Sequence, residues 1–179
     1  MGEQSIRIAV AVVLGVALVG VRDAGPAVIG ALYVAAVTVS LAVVDARERR
    51  LPNAVVLPGY AFAAVGLLWG WLARGDPPWI ALGCGLGVLA LVGVLSAGGG
   101  LGMGDVKLAG LLAIALAAVV VGRGPPGEAA GAVLVWVVAA CAVAAVAGVA
   151  EVWMGAGAGA EIALGPILLG SFWTVTLVW

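Results

Sequence analysis

The sequence predicts an all-α protein, a polytopic transmembrane helical bundle of about seven helices forming a single integral-membrane domain over residues 1–179. Three observations carry that expectation. Hydrophobic residues make up 65% of the chain and charged residues 9%, against about 45–50% and about 25% in an ordinary soluble domain. Mean hydropathy is +1.27. The apolar residues also fall in seven continuous runs. Crossing about 30 Å of hydrocarbon takes about 20 helical residues, and unbroken apolar runs near that length are helices, not the alternating strands of a barrel.

The first run spans about Ile6 to Val21, with Arg7 near its start and Arg22-Asp23 after it. Glu3 weakens any basic leader region and no small-x-small cleavage site follows, so the run reads as a retained helix. The second extends from Pro26 to Val44, with Pro26 suited to a helix start. Asp45 to Asn53 is the densest charge cluster in the chain. The third run, Ala54 to Ala73, contains Pro58, and Arg74 to Pro78 forms a polar turn. The fourth, Trp79 to Ala97, ends in the glycine stretch Gly98–Gly104. Val106 to Val121 is the fifth and Ala129 to Ala150 the sixth, which leads into the small-residue linker Gly155–Gly159. The last run, Ile162 to Trp179, is broken by Gly165-Pro166. The first and fifth runs are marginal spans and the rest comfortable.

Composition excludes several function classes. A net charge of −1 and the lack of any histidine argue against nucleic-acid binding and against histidine-based catalysis or metal ligation. Cys84 and Cys141 fall inside apolar runs without CxxC spacing, so they read as small apolar side chains instead of a zinc site or disulfide. Small-xxx-small pairs such as Gly66/Gly70 and Gly83/Gly87 suit close helix packing, but 29 glycines make such spacings common by chance.

Positive charge sets the orientation. With both charged motifs at the cytoplasm, that side carries Arg7, Arg47, Arg49, Arg50 and Lys107, and the other carries Arg22, Arg74 and Arg123. The bias has the sign of the positive-inside rule and puts the N-terminus in the cytoplasm. Trp69, Trp71, Trp79 and Trp179 then cluster near the outer interface.

Two carboxylates stand out. Asp105 begins the fifth run in Gly102-Met103-Gly104-Asp105-Val106-Lys107-Leu108. By itself it reads equally as a helix N-cap or as a functional intramembrane acid. Asp45 ends the second run, where pairing with Arg49 is the simpler explanation taken alone. After Asp45 the chain crosses out and back, which returns Asp105 to the same membrane face. Two like carboxylates brought close share a proton and titrate as a unit. That is the chemistry of an aspartyl hydrolase, in which one acid takes a proton from water and the other donates to the scissile carbonyl. Asp45 at a helix C-terminus and Asp105 at an N-terminus feel opposite dipole ends, which suggests Asp45 as the acid and Asp105 as the base.

Asp45, Arg47 through Leu51-Pro52-Asn53, and then Gly102 to Leu108 together resemble the type IV prepilin peptidase family, intramembrane aspartyl proteases of the G-x-G-D class. The resemblance covers roughly residues 30 to 179 and makes the first helix additional to a six-helix core. It implies that Asp45 and Asp105 are the catalytic pair, and that Gly102 and Gly104 let the backbone approach a substrate strand. Pro52 and Asn53 form the supporting turn, and Lys107 steadies the aspartate or the substrate, or else snorkels to the interface. Leu164-Gly165-Pro166 resembles a third family element, more weakly because Leu164 and Ile167 stand where the family has aromatic residues. The implied substrate is a prepilin or pseudopilin precursor whose short basic leader ends in Gly before an apolar helix. Cleavage falls at the cytoplasmic face of the inner membrane, in a type IV or Tad/Flp pilus system.

The chain has neither the cytoplasmic insertion nor the two CxxC pairs of bifunctional relatives. Peptidase activity alone is therefore expected, with no cofactor, no S-adenosylmethionine and no metal. Arg47, Arg49 and Arg50 are expected to serve topology and lipid contact. A different class remains open: a non-enzymatic membrane partner, or a small proton-coupled transporter using Asp45 and Asp105 as a relay, with helices broken near the midplane. The presenilin-like branch of G-x-G-D proteases needs a Pro-Ala-Leu element, which does not occur in this sequence.

Overall fold

The computed structural model describes residues 3–20, 25–97, 101–125, 127–153 and 163–179. Among these, seven α-helices follow one another without a strand: α1 Glu3–Gly20, α2 Ile29–Glu48, α3 Asn53–Arg74, α4 Pro78–Ala97, α5 Met103–Arg123, α6 Glu128–Trp153 and α7 Leu164–Val178. Five of the described segments, from α2 to α6, are long and apolar enough to cross a membrane, and the described parts of α1 and α7 are shorter. Arg22-Asp23, Gly98–Gly100 and the linker Gly155–Gly159 lie outside the described residues.

Several helix ends differ from the sequence expectation. Pro26 does not start α2 but sits in a short 3-10 turn, Gly25–Val28, that leads into it. At its other end α2 runs past Val44 to Glu48, which carries Asp45 inside the last turn. The fifth run, expected to be marginal, becomes a 21-residue helix because the motif residues Met103 to Asp105 join it. The last run is the short one, with 15 helical residues in α7. Gly165-Pro166 does not break this helix but opens it, since Pro is tolerated in a first turn where no intrahelical partner is lost. Pro58 lies within α3, where the bond it removes would go to Ala54 at the exposed start of the helix.

The bundle is built around α5. Every residue from Leu108 to Val121 is buried, and α5 touches α2, α3, α4, α6 and α7. In lipid an apolar circumference does not decide burial, since α4 and α6 are at least as apolar and face outward; α5 is enclosed by the five helices packed around it. Between helices in lipid, close van der Waals packing replaces the hydrophobic drive, and small residues permit it. Gly110 shows the need: a Cβ there would lie 2.7 Å from the Tyr60 hydroxyl and 2.5 Å from Leu89 Cγ. Gly66 is likewise packed on the Pro26 carbonyl, whereas Gly83 and Gly87 face no atom of the described residues within 4 Å.

The short α7 is tied down by two indoles. Trp136 Nε1 donates to the Leu168 carbonyl at 3.3 Å, and Trp173 Nε1 donates to Thr38 Oγ1 at 2.9 Å. Val12, Leu86 and Val146 are exposed on the outer helices α1, α4 and α6, as a lipid-facing surface requires. Trp69, Trp71, Trp79 and Trp179 are exposed as well, all at the end of the bundle away from Asp45 and Asp105.

Candidate active site

The motif end of the bundle is made by three chain segments, and each has a local reason to be where it is. α2 stops at Arg49, which takes the left-handed conformation (φ 51) and donates its N–H to the Asp45 carbonyl. The chain then turns through Leu51-Pro52, and Pro52 caps α3 with an extended backbone while its carbonyl accepts from Val55 N at 2.9 Å. Gly102 is the extended N-cap of α5, and its carbonyl accepts from Asp105 N at 3.0 Å. Asp105 is therefore the third residue of the helix and not its N-cap. From that position its carboxylate turns back toward the Gly102 backbone N–H, so a capping role persists beside any chemical one.

These segments bring Asp45 and Asp105 to one cavity of about 270 Å³, whose walls also include Arg49, Arg50, Leu51 and Gly104. The two acids are 60 positions apart in sequence and lie within electrostatic reach of each other. Asp45 is only 4% exposed. Its Oδ2 accepts a hydrogen bond from the Gly165 backbone N–H at 2.8 Å. The first turn of a helix leaves its N–H groups without intrahelical partners, and Ala163, the N-cap of α7, offers no side-chain bond. Asp45 thus caps α7 across 120 residues of sequence. A Cβ on Gly165 would lie 2.8 Å from Asp45 Oδ2 and 3.0 Å from its Cγ, so the approach depends on glycine. Asp105 is held differently: its Oδ1 is buried with no hydrogen-bond partner among the described residues.

The N-terminus of α7 also removes a contrast expected from the sequence. Asp45 ends α2 but faces the start of α7, and Asp105 lies in the first turn of α5. Both carboxylates now see a helix N-terminus, so dipole direction no longer tells the acid from the base.

The supporting residues are placed with some surprises. Gly104 faces the turn after α2, where a Cβ would lie 2.9 Å from Leu51 Cβ, so this glycine joins the two motif turns to each other. Gly102 stands against the acid, with a Cβ position 3.3 Å from Asp105 Oδ2. Lys107 Nζ donates to Asn53 Oδ1 at 3.0 Å, which links the second motif to the first. Pro166 follows Gly165 in the opening turn of α7.

Sequence reasoning missed two contributions. Arg49 and Arg50, assigned to topology and lipid contact, line the cavity with both acids. Tyr60 backs the site by donating its hydroxyl to the Lys107 carbonyl at 2.6 Å. The available signal was its rarity: it is one of two tyrosines in the chain, and a tyrosine in an apolar helix needs a partner for its hydroxyl. A larger groove of about 460 Å³ between α6 and α7 has no ionisable side chain among its described walls.

A bundle of membrane-length helices with paired carboxylates at one end defines a class of membrane-embedded hydrolase candidates. The type IV leader peptidase family model matches residues 31–150, which is more than half of the chain and includes both acids. The chain belongs to the type IV leader peptidase family and is a peptidase. Gly165 and Pro166 lie beyond the matched residues. No curated protein and no solved structure gives a significant match.

Proposed function

We propose that the chain is an intramembrane aspartyl endopeptidase with Asp45 and Asp105 as its catalytic pair. It removes the basic leader of prepilin-like precursors, after Gly, at the cytoplasmic face of the inner membrane. The observation that carries this reading is the shared cavity, since both acids line a single space of about 270 Å³. Like charges in such a space hold one proton between them. The ionised acid takes a proton from a water while the protonated acid donates to the scissile carbonyl oxygen. The water oxygen bonds to the carbonyl carbon and a tetrahedral gem-diol forms. The C–N bond then breaks as the leaving amine takes the pair's proton and a gem-diol hydroxyl gives its proton to the other acid, which leaves a carboxylic acid product and a singly protonated pair.

The remaining groups hold this pair in register. Gly165 N–H fixes Asp45, and the Lys107–Asn53 bond fixes the start of α5 against the start of α3. The single domain acts as a peptidase without methyltransferase activity and without a cofactor. Its N-terminus is cytoplasmic, which places the pair where a leader emerges from the bilayer.

Co-expression with a candidate prepilin tests the reading by scoring leader removal for the unaltered chain, Asp45→Ala and Asp105→Ala. Loss of processing in both variants, with normal membrane levels, is the expected outcome. Processing by both variants at the unaltered rate would end the aspartyl assignment.

A further inference from the structure

The chain has two tyrosines, and both make the same kind of contact between helices. Tyr33 of α2 donates its hydroxyl to the Val55 carbonyl of α3 at 2.6 Å. Tyr60 of α3 donates to the Lys107 carbonyl of α5, also at 2.6 Å. The Leu111 backbone N–H, the ordinary helical partner of that carbonyl, bonds the same Tyr60 oxygen. A glycine admits each tyrosine. A Cβ on Gly59 would lie 3.2 Å from the Tyr33 ring, and one on Gly110 would lie 2.7 Å from the Tyr60 hydroxyl. Phe62 of α3 stacks on Tyr33 with ring centroids 4.8 Å apart and holds that ring against α3.

We propose that Tyr33 and Tyr60 are positioning residues, which set where α2 and α5 stand along α3 and so fix the separation of Asp45 and Asp105. The proposal rests on the proteolytic reading above. The two acids belong to different helices, α2 and α5, and α3 packs on both. Contacts between small apolar side chains hold such helices together but are weakly directional, whereas a hydroxyl bond selects one carbonyl of the partner helix. Tyr60 selects Lys107, two residues after Asp105. Asn53, about two turns before Tyr60 on α3, holds the side chain of the same lysine, so α3 grips Lys107 at both ends. Tyr33 selects Val55, in the first turn of α3. It stands 12 residues before Asp45, about 18 Å along a continuous helix. A slip of one residue is about 1.5 Å. Misplacing a reacting group by about 1 Å costs on the order of 100-fold in rate, so even a partial slip reaches the chemistry.

The test uses the full chain in proteoliposomes with a prepilin-type substrate. Tyr60→Phe keeps the ring and removes only the hydroxyl. It should lower kcat about tenfold and change KM less than about twofold, because the acids shift while substrate contacts stay. Tyr33→Phe, acting through a longer stretch of helix, should lower kcat about threefold. A p-aminophenylalanine at position 60 restores a donor and should recover most of the loss, whereas p-methylphenylalanine fills the space without one and should not. Thr174→Val removes a hydroxyl bond within α7 and should leave kcat unchanged. An unaltered kcat in Tyr60→Phe, an equal fall in Thr174→Val, or recovery by p-methylphenylalanine would overturn the proposal.

A second measurement reads the register without turnover. In a Cys84→Ala/Cys141→Ala background, nitroxides on Ala46→Cys and Met103→Cys report the spacing of the motif ends of α2 and α5 by dipolar broadening. Both positions are exposed. Tyr33→Phe and Tyr60→Phe should each change that spacing, and Thr174→Val should not. Spectra matching those of the unaltered tyrosines in both variants would overturn the proposal even where kcat falls. If the unaltered chain removes no leader while both tyrosine variants change the spectrum, the proteolytic reading fails and the register stands. Leader removal with a normal kcat in Tyr60→Phe would defeat the positioning role alone.

Discussion

Replacing Gly165 by alanine tests whether the α7 amide holds Asp45. The added Cβ would lie 2.8 Å from Asp45 Oδ2, 3.0 Å from Cγ and 3.1 Å from Cβ of the same residue. Every near atom belongs to a short side chain that is 4% exposed, so no flexible end can swing aside. Relief requires α7 or the carboxylate to move, which breaks the 2.8 Å bond from Gly165 N. A hydrogen bond to a charged group is worth about 1.5–3 kcal/mol net, and that is the expected loss of stability. Displacing a reacting group by about 1 Å costs on the order of 100-fold in rate, so kcat should fall by one to two decades, on the order of 10–100-fold. Gly170→Ala is the matched control, being on the same helix with no atom of the described residues within 4 Å of its Cβ position. It should keep full activity and stability. Leader-removal kinetics and thermal unfolding in detergent read both effects. If Gly165→Ala behaves as Gly170→Ala does, the amide does not hold Asp45 and the reasoning is refuted.

Two further outcomes follow from contacts between the motifs. Lys107→Met and Asn53→Ala each remove the 3.0 Å bond between these side chains. Each should cost about 0.5–1.5 kcal/mol of stability, and the double variant should cost little more than either single one in a double-mutant cycle; full additivity would show the pair uncoupled. Gly104→Ala puts a Cβ 2.9 Å from Leu51 Cβ and should reduce leader removal about tenfold or more, as overpacking of about 1–3 kcal/mol predicts. Leu51→Gly removes the opposing atom and should restore part of that loss, measured as initial rate; no rescue would place the defect elsewhere.

How much was legible in the sequence differs between elements. The helices from α2 to α6 were readable from continuous apolar runs, because the bilayer fixes their length and forbids unsatisfied backbone. Helix ends were not. The second apolar run ends at Val44 and puts Asp45 at the helix C-terminus, whereas α2 continues to Glu48, since charge marks the limit of the hydrocarbon and not the limit of backbone hydrogen bonding. Gly165-Pro166 looked like a break and is the start of α7, because Pro disrupts an interior turn but suits a first one. The weak third element gave no sign that its amide reaches Asp45. A backbone donor leaves no mark in residue identity beyond a glycine, and this chain has 29 of them.

Sequence by itself determined the solvent and the architecture. With 65% hydrophobic residues in unbroken runs, helices in lipid are the solution that satisfies every backbone polar group within its own segment. The two motifs also singled out Asp45 and Asp105, since charge is scarce enough in this chain for each acid to need a reason. Only the tertiary structure decided how those acids are held. Packing around α5 brings the starts of α3, α5 and α7 together, so one carboxylate gains the Gly165 amide while the other keeps a buried oxygen with no partner among the described residues. That asymmetry arises from contacts across 60 and 120 positions. Helical periodicity and local charge carry no information over such distances, because the packing of whole helices sets them.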